Sequence, residues 1–351
     1  MIGKNRAEFT MNDSKQMHAL KDSEPAAAGK PEQRKRPPQW AGPLLILVTV
    51  FFWMGTYTYP ALLTPYLKTL SVSLSMSGYI VASYGFTQLV LRFPLGLWSD
   101  KIGKRKIFII AGLIAVALSS LGLFLTKSPW LILLFRALAG VAAAFWVQIS
   151  SLYINYYAAE GESTEAVSRL NFMQNLAIIL ATFFGSRIAD RRGIEASFAL
   201  GAVLGFIGLA LAFFIYEKQD EEAGEKRPAE QKPSEKKAFS VTEPNLFWAS
   251  ILAIITQIVS FGIIQGFAPR YAAELGAGTE WIGNMATLSH IAKAVGILFC
   301  GQFLIRRVSP RKQLLASLVI TALLLFLMPQ LSLPWLIPQQ MLLNASPGVQ
   351  M

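Results

Sequence analysis

About nine runs of this chain, each near or above ~18 residues long, carry almost no charge. A helix of about 20 apolar residues crosses the hydrocarbon core of a bilayer, so each run is a candidate span. Spans are expected at about 43–67, 78–98, 107–126, 130–154, 170–189, 196–216, 245–269, 281–304 and 313–330. An apolar segment begins again at Leu333 and stops at Leu343. It ends in Asn344-Ala-Ser-Pro-Gly-Val-Gln-Met351, which is not expected to continue a spanning helix. Composition points the same way: 15% of the residues are charged, against about 25% in soluble domains. The fold class expected is all-α, a polytopic membrane helix bundle.

The formal net charge of +11 does not indicate a nucleic-acid partner, because the basic residues sit in short loops between apolar runs. That is the pattern of membrane topology. With the N-terminus inside and counting from residue 21, the inner segments hold 20 Lys and Arg and the outer segments six, so the N-terminus is expected on the cytoplasmic side of the cell membrane. The Arg191-Arg192 pair runs against the rule and is outweighed. Residues 1–40 are polar, carry Lys30, Arg34, Lys35 and Arg36, and place no apolar stretch near the start. They are expected to be a disordered cytoplasmic tail rather than a cleavable signal. Cys300 is the single cysteine, so no disulfide can form within the chain and no thiolate metal site is expected.

The organisation reads as a six-span bundle over 41–216, a charged cytoplasmic linker over 217–244, and a second bundle over 245–351. A weak repeat relates the two. Gly78 and Gly96 are 18 residues apart, as are Gly283 and Gly301, and each pair brackets a span that runs into a basic loop. Repeated bundles with a solute site between them are a common transporter plan. Polarity separates the spans. Those at 107–126, 196–216 and 313–330 carry little beyond Ser119, Ser120, Ser197, Ser317 and Thr321, and can face lipid all round. Others carry Asn171, Gln174, Gln257, Gln265, Asn284, His290 and Lys293, which should face helices or a watery cavity.

The sharpest motif is Arg92-Phe-Pro-Leu-Gly96-Leu-Trp-Ser-Asp100-Lys101-Ile-Gly103-Lys104-Arg105-Lys106. Gly96 allows close approach of helices and Gly103 supports a tight turn. Asp100 can meet a helix N-terminus or a facing Arg. The stretch resembles the loop between helices 2 and 3 of the major facilitator superfamily, with Gly96, Asp100, Lys101, Gly103, Lys104 and Arg105 matching and Trp98 standing where Leu is usual. The resemblance implies a conformational latch on the cytoplasmic side, two six-helix halves and alternating access. Arg136-Ala-Leu-Ala-Gly140 resembles the superfamily's helix-4 signature, in which the Arg tunes a proton-carrying carboxylate or contacts solute. A structural Arg bonded to backbone carbonyls, or one reaching the outer interface roughly 9 Å away, is the alternative. The superfamily plan has twelve helices. This sequence supplies nine and part of a tenth, so a complete first half and an incomplete second half are expected, in a shortened chain that need not work as a transporter.

Two departures narrow the reading. The span at 170–189 lacks the Gly-Pro signature of drug/proton antiporters, and no Asp or Glu lies deep in any span. His290-Ile-Ala-Lys293 lies roughly 14–18 Å from Trp281 by helical rise, near the midplane. The two residues share a helix face. His titrates nearest neutrality of all side chains. Together with Arg136, this pair favours an anionic or polyhydroxy solute, or a proton relay through His290. Trp53, Tyr57, Gln148, Gln174, Gln257 and Gln265 are candidates to complete a cavity, with packing or interface anchoring as the alternative for the aromatics.

There is no nucleotide-binding glycine loop, no metal-ligand spacing and no nucleophile triad, so no cofactor is expected and an enzyme is disfavoured. The function expected is a monomeric secondary transporter of a small solute. A transporter-derived sensor and an inactive fragment are the alternatives. Substrate, direction and coupling ion are not legible.

Overall fold

The computed structural model describes residues 37–157, 163–217, 259–299 and 307–346. Among them, seven helices are long and apolar enough to cross a membrane. The first crossing is built from α1 (Ala41–Tyr57) and α2 (Pro60–Thr69). Pro60 has no amide hydrogen to donate, so it suits the first helical position after the break at Tyr59. Then come α3 (Leu74–Ile102), α4 (Arg105–Leu125), α5 (Pro129–Ala144) with α6 (Trp146–Tyr157), α7 (Ser163–Arg192) and α8 (Glu195–Ala212). Beyond residue 258 lie a π-helical stretch (Val259–Phe267), α9 (Ala268–Glu274), α10 (Thr279–Phe299), α11 (Pro310–Leu327) and α12 (Leu333–Ala345). The first part of the span expected at 245–269 lies outside the described residues, as do Gly301 and most of the second basic loop.

One expectation holds and one changes. The segment from Leu333 forms the 13-residue helix α12, packed along α10 with Leu336 and Leu343 buried, and it ends at Ala345, short of a full span as expected. Pro334 sits in its first turn, where the missing amide hydrogen costs nothing. The apolar α4 and α8 do not face lipid all round. Ile109, Leu113, Ser120 and Phe198 are fully buried, and Ser120 Oγ donates to Gly55 O at 3.3 Å. Small residues decide this, because they let backbones close in where no hydrophobic force distinguishes a neighbour from lipid. Helix α11 exposes Leu315, Val319, Leu323 and Phe326 but buries Gln313, Ser317 and Thr321, so it too turns one face inward.

The first bundle packs around Leu45, Val48, Phe52, Ile109, Leu113 and Ile149. Helix α3 meets α5 where Gly140 lies against Thr87 and the Tyr84 carbonyl, so a methyl group there would collide with both. A second apolar cluster joins Leu62 and Ala189 of the first bundle to Ala272, Ile282, Met285 and Leu336 of the later helices.

Candidate functional site

The basic loop forms one landmark. Helix α3 ends at Ile102, and Gly103 takes the left-handed conformation (φ 71°) that closes the turn, its N–H donating to Ser99 O at 2.9 Å. This is the tight turn read from the sequence. Asp100 and Lys101 lie in the last turn of α3, and Lys101 and Lys104 are exposed. The interaction expected of the Asp100 side chain lies outside the described residues. Gly96 does not serve close packing: among the described residues nothing lies within 4 Å of where its Cβ would be. Instead the loop is held from a side the motif did not disclose. Glu217 accepts from the backbone N–H of Arg105 and, at 3.0 Å, of Lys106. Its carboxylate thus caps the start of α4, where the helix dipole favours a negative charge. Lys106 Nζ answers by donating to Phe213 O at the end of α8, at 2.6 Å.

Gln148 belongs to this region rather than to a cavity. It is buried on α6, and its Oε1 accepts from Ser99 Oγ on α3. Trp53 also leaves the candidate cavity. It is buried in the first bundle against Phe52, Tyr57 and Trp146. Gln174 is half-buried on α7 and does not line the cavity described below. Gln257 lies outside the described residues.

Arg136 is 7% exposed, and among the described residues its hydrogen bond goes to Tyr59 rather than to a backbone carbonyl. Its guanidinium lies 4.3 Å from the Tyr84 ring centroid and 5.7 Å from that of Tyr59, with Nη1 donating to Tyr59 Oη at 3.5 Å. Cation–π contact is strongest where water is excluded. Its Nε has no partner among the described residues.

The cavity itself, about 40 Å³, lies where the first bundle meets the later helices. Tyr57, Pro60 and Ala61 border it from the broken first crossing, and Thr182 from α7. Gln265 enters from the π-helical stretch; Met285, Ser289 and His290 enter from α10. The Tyr57 and His290 rings meet edge to face, with centroids 6.0 Å apart. Arg136 instead packs over Tyr84 and Tyr59, and of the cations proposed from sequence only His290 is among the described residues bordering this cavity. Lys293 follows His290 by one turn and is half-buried. Two lining residues that the sequence reading missed, Gln340 and Asn344, come from α12. Their spacing of four residues on one helix face was the available signal.

On the face opposite the basic loop, polar contacts join the first bundle to the later helices. Arg187 of α7 pairs with Glu280 of α10 and donates from Nη2 to Asn284 Oδ1 at 3.2 Å. Asp190 accepts from the Glu280 N–H at 3.3 Å, Arg270 Nη1 donates to Ser77 Oγ at 3.1 Å, and Thr64 Oγ1 donates to Gly266 O. Gly283 lies against Ser186 so closely that a methyl group would not fit between α10 and α7. By helical rise, His290 lies about 15 Å from Glu280, half of a roughly 30 Å core.

Comparison with known proteins agrees with this architecture. The sequence profile of the Major Facilitator Superfamily matches residues 45–346. The inner membrane transport protein YajR of Escherichia coli is 32% identical over 166 residues, 46% of this chain, and the match spans 35% of YajR's own length. The multidrug resistance protein MdtG of Salmonella arizonae is 25% identical over 313 residues, covering 84% of this chain and 76% of that protein. The crystal structure of a bacterial homologue of the human lysosomal transporter Spinster, inward-facing and unoccupied, superposes with a TM-score of 0.65 at 16% identity, over 88% of this chain and 74% of that one. The broken first crossing, the glycine-closed basic loop and the many-helix bundle are thus those of a multi-pass membrane protein, and the chain belongs to the major facilitator superfamily of transporters, which are not enzymes.

Proposed function

We propose that the protein is a secondary active transporter of the cell membrane that moves a small polar solute, anionic or polyhydroxy, by alternating access. The observation that carries this reading is the mid-depth cavity bordered by both the first bundle and the later helices, with the Arg187–Glu280–Asn284 group tying α7 to α10 on one face. A cavity placed between two rigid bodies opens to one side or the other as they rock. The N-terminus lies on the cytoplasmic side, which puts the Gly103 loop inside and the Arg187 cluster outside. In this reading Gly103, Lys104 and Arg105 act as the inner latch. His290, in ring contact with Tyr57 across the two bodies, carries the coupling proton.

Some relatives are named for multidrug resistance. Lipophilic cations are poorly matched here, because no Asp or Glu is among the described residues lining the cavity.

The test is flux in proteoliposomes. The purified full chain should accumulate a labelled polyol or carboxylate when an inward proton gradient is imposed, and His290→Gln should abolish the dependence on the gradient. Flux equal to that of protein-free vesicles across both solute classes would overturn the transport reading in favour of a binding protein.

A further inference from the structure

Three of the polar side chains lining the cavity have a fixed hydrogen-bonding sense, and that sense selects a ligand. Ser289 Oγ donates its proton to Met285 O at 2.7 Å, and Thr182 Oγ1 donates to Ile178 O at 2.9 Å. Each hydroxyl has one proton, so both residues present only lone pairs to the cavity. Gln340 is the opposite case. It is 2% exposed, it lines the cavity, and its Nε2 has no acceptor among the described residues. Its neighbour Gln339 turns the other way and donates to Leu324 O on α11, so α12 is anchored there while Gln340 points inward. A buried donor without an acceptor costs about 1–3 kcal/mol, and a ligand oxygen removes that cost.

We propose that Gln340 is the specificity-determining donor of a site for a neutral hydroxyl-bearing solute, with Ser289 and Thr182 as its acceptors. This rests on the transport reading and narrows it. A hydroxyl both donates and accepts, so one group satisfies Gln340 and the facing lone pairs together. An ionised carboxylate satisfies Gln340 but meets the Ser289 and Thr182 lone pairs with like partial charge. A lipophilic cation finds no carboxylate and leaves Gln340 unpaired. In this arrangement the cavity holds about two or three water molecules, so the solute enters when the two bodies separate.

The experiment is equilibrium binding of radiolabelled sorbitol to the purified full chain, with unlabelled sorbitol, gluconate and tetraphenylphosphonium as competitors. Saturable binding displaced by sorbitol, with gluconate and tetraphenylphosphonium much weaker, is expected. Gln340→Met keeps the side-chain length and removes the donor, and should weaken sorbitol binding about five- to a hundredfold, the range set by one unpaired buried group. Ser289→Ala changes a different helix and should give a loss in the same direction, so a folding fault confined to α12 does not decide the result. No saturable sorbitol binding, tighter displacement by gluconate or by the cation, or unchanged affinity in Gln340→Met would overturn the proposal. Sorbitol binding through Gln340 without flux would leave this assignment standing and remove the transport reading. Gradient-driven gluconate flux indifferent to Gln340→Met would do the reverse.

Discussion

Removing the Arg187–Glu280 contact should release the face opposite the basic loop. Both side chains are partly exposed, 38% and 44%, so the ion pair alone contributes about 0.2–1 kcal/mol. Arg187 also donates to Asn284 at 3.2 Å, which adds about 1 kcal/mol. Glu280→Ala removes only the pair and should raise the population open on this face up to about fivefold. Arg187→Met removes both contacts, about 1–2 kcal/mol, and should raise it about five- to thirtyfold. The native chain has one cysteine, Cys300, so a Cys300→Ser background accepts a reporter at Ala286, which lines the cavity. The rate at which a membrane-impermeant maleimide labels Ala286→Cys follows the open population. In the parent, added salt should speed labelling, because exposed charges are screened; in Arg187→Met the salt effect should vanish. Labelling rates equal in parent, Glu280→Ala and Arg187→Met would refute the idea that this cluster holds the face shut.

Three further outcomes follow from other contacts. Glu217→Ala strips the cap from Arg105 and Lys106 and should cost about 1–2 kcal/mol, read as a lower Tm in detergent, while Glu217→Gln recovers part of it. Gly140→Ala drives a methyl group into Thr87 and the Tyr84 carbonyl; parting α3 from α5 should cost about 1–3 kcal/mol, seen as lower yield of monodisperse protein and a lower Tm. Arg136→Lys keeps the charge but not the plane that lies over Tyr84 and Tyr59, so it should fail to restore the flux lost in Arg136→Met; full restoration would show that charge alone matters there.

What was legible in advance depended on how local the signal was. The spans were readable because a bilayer imposes one length and one polarity on every crossing segment. The turn at Gly103 was readable because a positive φ selects glycine. The short helix from Leu333 was readable because its apolar run gives way to polar residues near Asn344, and Pro334 sits harmlessly in its first turn. Gln148 and Trp53 were placed in a cavity because polarity and aromaticity say that a residue needs a partner, not which one. Ser99 satisfies the first and the Phe52–Trp146 cluster encloses the second.

The amino-acid sequence by itself determined that this chain lives in a membrane as helices, and carried the loop motif that marks its family, since both follow from composition and short-range spacing. Only the tertiary structure decided that Gln340 and Asn344 join His290 and Tyr57 around one cavity, that Arg136 lies over the Tyr84 and Tyr59 rings, and that Glu280 meets Arg187. Those pairings join residues tens to hundreds of positions apart. Between helices in lipid they are set by how closely small residues let backbones approach, a property no single helix carries alone.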